Sequence, residues 1–235
     1  AFGYWLKAAF GDPTTTGPGP YTHEFKTGSW VLPSFACEVG MPDLPRFAMY
    51  SGCMLDTLSW QMARSGLLTA KASIVAQAEA VATGTGAGTP AAISLARFGH
   101  FQGSVKRNDA ALGSLVSAEV NYSNNLDRVE TIRSDGAIDG ADPSIAALTG
   151  SIGVRFANNT LVDQAINGTS CELEFGYVNG AHSLTVTAHE VYLPRPRVSI
   201  DGPGGIQASF DWQAALNSVE GCMATITLVN DVDAY

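Results

Sequence analysis

Basic residues are scarce in this chain. Its 235 residues carry 13 Lys and Arg against 22 Asp and Glu, a net charge of −9. A general nucleic-acid binder wants a basic surface, because phosphate contacts supply most non-specific affinity. The composition argues against tight DNA or RNA binding, but not against a surface that DNA passes without sticking. Long apolar runs are also missing, so no transmembrane helix is expected. There is no secretory signal pattern and no initiating Met. The chain opens on "AFGYWLKAAF", which reads as the middle of a folded unit, so further residues are expected upstream.

Catalytic and metal motifs are absent as well. Cys37, Cys53, Cys171 and Cys222 lie far apart, with no CxxC or CxxH spacing, which removes the usual zinc framework. They read as small buried hydrophobes in a reducing compartment, with a structural disulfide as the alternative. The histidines His23, His100, His182 and His189 form no HExxH or HxH pair. There is no G-x-S-x-G elbow, no catalytic cysteine context, and no Asp or Glu pair that stands out from the rest. The expectation is a protein without catalytic residues, cofactor or metal. "GTGAGT" (84–89) superficially resembles a phosphate loop but lacks the Lys-Ser/Thr ending and is followed by Pro90, so it reads as a flexible connection. Asp135, Asp139 and Asp142 lack EF-hand spacing and read as a solvated turn region. The sequons at Asn121, Asn158 and Asn167 are read as ordinary turn composition.

What is present is alternation. Hydrophobic content of 46% allows a real core. Residues 1–10 suit a short helix with Phe2, Leu6, Ala9 and Phe10 on one face, ended by Gly11 and Pro13. Residues 159–166 suit a second, capped by Asn158 or Asn159 and followed by Gly168. Between and beyond them, strand patterns dominate, with loops at 83–90 and 133–144. "VNGAHS" between two alternating runs predicts a hairpin turned at Asn179-Gly180. With no βαβ rhythm, the fold class is mainly β, and the whole of 1–235 is expected to be one domain.

The longest alternating run is "LLTAKASIVAQAEAVA" (67–82). All its even positions, from Leu68 to Ala82, are apolar, whereas Thr69, Lys71, Ser73, Gln77 and Glu79 occupy odd ones. Alanine favours helix, but a helical reading gives a mixed stripe and the strand reading gives a consistent face. A single strand is therefore expected, about three times the usual five to six residues. Its even face should be buried, and Thr69, Lys71, Ser73, Gln77 and Glu79 should face a lumen or a neighbouring subunit.

The ordered segments "GYWLKAAFGDPTTTGPGPYTHEF" (3–25), "LPSFACEVG" (32–40), "YSGCMLDTLSWQMARSGLLTAKASIVAQAEA" (50–80), "SAEVNYSNNLD" (117–127), "LTGSIGVRFAN" (148–158) and "VYLPRPRVSIDGPGGI" (191–206) carry a resemblance. Taken in order, they resemble the major tail tube proteins of long-tailed, non-contractile phages. The resemblance implies a β-sandwich or partly closed barrel with one or two short flanking helices and a long channel-lining hairpin. It implies a structural virion protein, assembled in the host cytoplasm, whose copies form rings, usually hexameric, that stack into a tail tube. Its partners would be itself and other tail proteins (tape measure, terminator, distal tail). DNA would meet it only in transit, and a membrane not at all. Heterologous contacts can close a ring while an axial contact extends the tube. An acidic channel wall would suit the charge of −9. The rival reading is a β-sandwich binding module for carbohydrate or a receptor, which would want an exposed aromatic platform. Trp5, Trp30, Trp60 and Trp212 are scattered in the sequence.

Overall fold

The fold was determined as a computed structural model, describing residues 2–63, 65–89, 96–99, 102–113, 115–155, 160–195 and 207–235. The chain begins with helix α1 (Phe2–Phe10), followed by β1 (Thr14–Thr16), β2 (Tyr21–Lys26), β3 (Phe35–Met41) and β4 (Arg46–Met62). Next come β5 (Thr69–Val75), β6 (Ala78–Ala82), β7 (Gly103–Arg107), β8 (Ala110–Ala111) and β9 (Leu115–Ser123). The short β10 (Asp127–Val129) and β11 (Gly140–Asp142) precede β12 (Ala147–Arg155) and helix α2 (Thr160–Asn167). The chain then runs through β13 (Cys171–Asn179), β14 (His182–Tyr192), β15 (Gln207–Ala214) and β16 (Ala224–Asn230). Both expected helices are present. The capping asparagines proposed for α2 lie outside the described residues. The β13–β14 hairpin is present, but its turn sits one residue later than expected: Asn179 pairs with His182, and the turn is Gly180-Ala181, with Gly180 at a φ of 62°.

All pairings are antiparallel, and they form two layers. One layer runs β8-β7-β13-β14-β16-β2-β1, the other β5-β4-β9-β12-β15. They join at one corner, where Val191 and Tyr192 of β14 pair with Ala214 and Gln213 of β15. The described strands do not close into a barrel. Alternation decides what each layer buries: Ala224, Ile226 and Leu228 point inward from β16 while Thr225 and Thr227 do not. Across the gap Phe175 of β13 stacks on Trp212 of β15, with centroids 5.7 Å apart. Helix α1 covers one end with Leu6, Ala9 and Phe10, and Phe10 meets Tyr122 at 4.6 Å.

Strand β4 organises the second layer. Its 17 residues span about 55 Å. Residues 57–62 lie between β5 and β9 inside the layer. Residues 46–53 run on beyond it, flanked by β3 and β6, as a three-stranded arm. The segment 67–82 is therefore strand, as its alternation predicts, but not one strand: it breaks at Ala76-Gln77 into β5 and β6. The cause lies across the ladder. Gly52, at φ 59°, forms a bulge in β4, and the Gln77 side chain sits where a Cβ on Gly52 would fall, 2.6 Å away. Burial of the even face is also shorter than expected. Leu68 and Ala72 pack against the core and Ile74, Ala76 and Ala78 are half-buried, but Ala70, Ala80 and Ala82 are exposed. The last two lie on the arm, which no second layer covers.

One buried amide ties these parts together. Asn124 Nδ2 donates to the Ala9 carbonyl at 3.0 Å and to the Leu55 carbonyl at 2.9 Å, and Oδ1 accepts from the Tyr122 hydroxyl at 2.9 Å. Its backbone N donates to Asp56 O at 2.8 Å. Removing the side chain would orphan two carbonyls that no water can reach. Asn124→Ala is expected to cost about 2–4 kcal/mol of stability, measured as a lowered urea midpoint with an unchanged slope.

Candidate assembly surface

The outward face of the second layer is built almost wholly from small polar side chains. Register aligns them in rows across the five strands. Lys71, Ser59, Asn121, Thr149 and Gln213 form one row, and Thr69, Gln61, Glu119, Ser151 and Asp211 the next. Ser73, Thr57, Ser123 and Ala147 form a third. The inward partners on the same strands are Leu58, Trp60, Val120, Tyr122, Leu148, Ile152, Phe210 and Trp212, all buried. The alternation that makes the core therefore makes this face too.

The charges on it balance. Among the described residues the face bears Lys71 and Arg155 against Glu119 and Asp211, with Glu119 accepting a hydrogen bond from Asn121 at 3.1 Å. The acidic wall expected from net charge is not found here. Carboxylates gather instead on the arm, at Glu38, Asp43 and Glu79, and in the turns between 127 and 142.

Among the described residues both margins of this layer are largely unpaired; ahead of β5 only Leu67 and Leu68 are engaged, by a bridge to Gly99 and a bond from Leu68 N to Phe98 O at 2.9 Å. Among the described strands β5 pairs only with β4, and the outer edge of β15 meets β14 only at Gln213 and Ala214. An edge with unpaired backbone groups is a template for another strand. Beside the β5 margin an apolar groove of about 480 Å³ runs between Leu67, Leu68, Phe98, Leu228, Val232 and Tyr235.

The five residues singled out from sequence do not share one surface. Thr69, Lys71 and Ser73 stand on the polar face. Gln77 does not: its Nε2 donates to Asp139 O at 3.0 Å, and its backbone bonds both Ser51 and Ile138. It holds the 130–142 turns against the root of the arm. Glu79 sits on the arm opposite Tyr50, 4.0 Å from Arg46. The residues that complete the face, such as Ser59, Asn121, Thr149 and Gln213, went unremarked in the sequence. Each strand showed its polar alternation, but nothing local said that these strands were neighbours.

The other candidate motifs have occupants of their own. The glycine-rich turn cradles the chain's own Glu38: Thr85 Oγ1 and Gly86 N, the latter at 2.7 Å, both donate to its carboxylate. These bonds, the Thr85 hydroxyl first, hold Glu38 below the usual carboxylate range. Asp135 and Asp139 clamp Arg133, whose Nε and Nη2 fork onto Asp135 at 2.9 and 2.7 Å and whose Nη1 reaches Asp139. Trp60 and Trp212 are core residues at 2% exposure while Trp30 is 68% exposed, so the four tryptophans make no shared platform.

Two outcomes follow from these contacts. Gln77→Ala should leave the subunit folded but free the 130–142 turns, at about 1 kcal/mol, read as roughly fivefold faster tryptic cleavage at Arg133. The Arg133 hydrogen bonds hold the carboxyls of Asp135 and Asp139 below the ordinary Asp range. A depressed carboxyl keeps its contribution above the unfolded value, about 3.9, and loses it as pH falls through the native value. The Ala137 amide, which donates to Asp135 Oδ1 at 3.1 Å, should therefore titrate by NMR with a midpoint below about 3.9.

The family model described as phage tail tube protein matches residues 1–214. No curated protein matches the chain.

Proposed function

The chain belongs to the phage tail tube protein family, which makes it a structural component of the virion tail, and on that premise we propose that its copies join edge to edge into rings that stack as a conduit for DNA. The observation that carries this reading is the second layer itself, a polar-faced sheet with, among the described strands, one unpaired margin on β5 and another on β15. The two margins are different surfaces, so the contact between them is heterologous. Such a contact closes a ring when its rotation divides the circle, six copies being the number the family resemblance implies. Closure would cover every open edge of the layer at once. The groove beside β5 would receive apolar atoms of the neighbour.

In that ring the small polar face lines the channel. DNA has little to hold there: each subunit offers two cations, and two carboxylates offset them. Strands of a closed sheet run obliquely along its axis, so the β3–β4–β6 arm projects beyond the rim. Its exposed Val39, Met41, Leu44 and Val81 would meet the next ring. The role is structural rather than catalytic. Other tail proteins would cap the ends of the stack.

Electron microscopy of the purified full chain tests the reading. Rings or tubes are expected, and a species that stays monomeric across protein concentration and salt overturns it. In the same experiment Lys71→Glu should assemble normally, because that side chain projects from the polar face while the joint on β5 is made by its backbone edge. A folded Lys71→Glu subunit that makes no rings would move this face from the channel to an interface.

A further inference from the structure

All four cysteines are free thiols, but two of them are neighbours across a strand pair at the root of the arm. Strand β3 pairs with β4 so that Phe35 lies opposite Cys53 and Cys37 opposite Tyr50. Between these pairs Ala36 faces two residues, Ser51 and Gly52, and Gly52 takes the positive φ of 59° that the bulge requires. Because the bulge absorbs one residue, Cys37 and Cys53 end on the same side of the ladder. Cys53 is 1% exposed, and its Sγ leans along the strand to the carbonyl of Tyr50 at 3.4 Å, the residue paired with Cys37. Cys37 and Cys53 are therefore diagonal neighbours across the bulged pair, with the Cys53 sulfur at the carbonyl of the residue that Cys37 faces.

We propose that Cys37 and Cys53 form an intramolecular disulfide across this bulge once the protein meets an oxidising medium. The two thiols differ as the reaction needs. Cys37 is partly exposed and can meet an oxidant, whereas Cys53 is enclosed and is reached only from within. Burial also pushes the Cys53 thiol up, so the first attack falls to Cys37. With a small disulfide such as oxidised glutathione, the Cys37 thiolate attacks one sulfur and that S–S bond breaks, releasing one glutathione. Cys53 then loses its proton to solvent and attacks Cys37 Sγ, releasing the second. Two protein thiols are oxidised and one glutathione disulfide is reduced to two thiols. Cys171 and Cys222 stay reduced, each buried on a separate strand or turn away from the arm. A tail component is made in a reducing cytoplasm and works outside it. The bond would therefore form after assembly and pin β3, whose pairing among the described strands is to β4 alone, to the arm it edges.

The full chain, incubated with oxidised glutathione without denaturant, tests this. Thiol titration after unfolding should fall from four to two. Without reduction, the tryptic peptides 27–46 and 47–64 should appear joined, at a mass 2 Da below their sum, and separate on reduction. Cys37→Ser should abolish the joined species, and Cys171→Ser should retain it. Four persisting thiols, or a stable glutathione adduct on Cys37 with Cys53 still free, would overturn the proposal. Neither result bears on whether rings form.

Discussion

The buried amide of Asn124 is the contact on which the rest of this structure hangs. It stands where three segments end together: the last turn of α1, the bend of β4 at Leu55, and the end of β9. The first two would otherwise lose this donor to a buried backbone carbonyl, at a cost of about 1–3 kcal/mol apiece. One side chain supplies both donors, and the Tyr122 hydroxyl fixes which way the amide points. Tyr122 in turn accepts from Gly28 N at 3.2 Å, so the chain after β2 is drawn to the same point. The amide thus sets how α1 caps the core and where β4 leaves it.

Where β4 leaves the core, its function divides. Below the bend its neighbours are β5 and β9 and its alternate residues serve a core on one side and a polar wall on the other. Above the bend its neighbours are β3 and β6, and β6 is exposed over most of its length. The Gly52 bulge and Gln77 hold the two regimes apart. A bulge increases local twist and bends the strand, so the arm need not follow the curvature of the layer. Gln77 fills the space over the glycine and bonds the 130–142 turns, which keeps the bend from hinging freely.

Much of this was legible from residue order, and the limits are physical ones. Apolar spacing placed both helices, and Gly180 marked its hairpin because glycine accepts positive φ, although the turn pair is Gly180-Ala181 rather than Asn179-Gly180. Period-two alternation predicted the strands, and it placed Thr69, Lys71 and Ser73 on an exposed face. Alternation states which way a side chain points, not which strand lies alongside or whether a second layer lies over it. So Ala80 and Ala82, identical in pattern to Ala72, are exposed because they fall on the arm. Gln77 matched the polar positions in spacing but answers to Gly52, 25 residues earlier, whose backbone angle leaves no mark on local composition. Net charge is likewise a sum over the whole surface, and the polar face has a sum of its own.

That local balance bears on how a conduit could let DNA pass. Strong repulsion from an acidic wall is one way; a wall with no net attraction is another. Retention by phosphate contacts depends on how many cations can displace counterions together. The face offers only Lys71 and Arg155, against Glu119 and Asp211, so few cations can act together, and the screening length of about 8 Å at physiological salt makes each contact local. The hydroxyls and amides that fill the other positions keep water on the surface and offer no apolar patch to which a base could stack. In the proposed ring a neutral, wetted face would be enough for passage, and the acidic residues on the arm and the 127–142 turns are left to serve the contacts between copies.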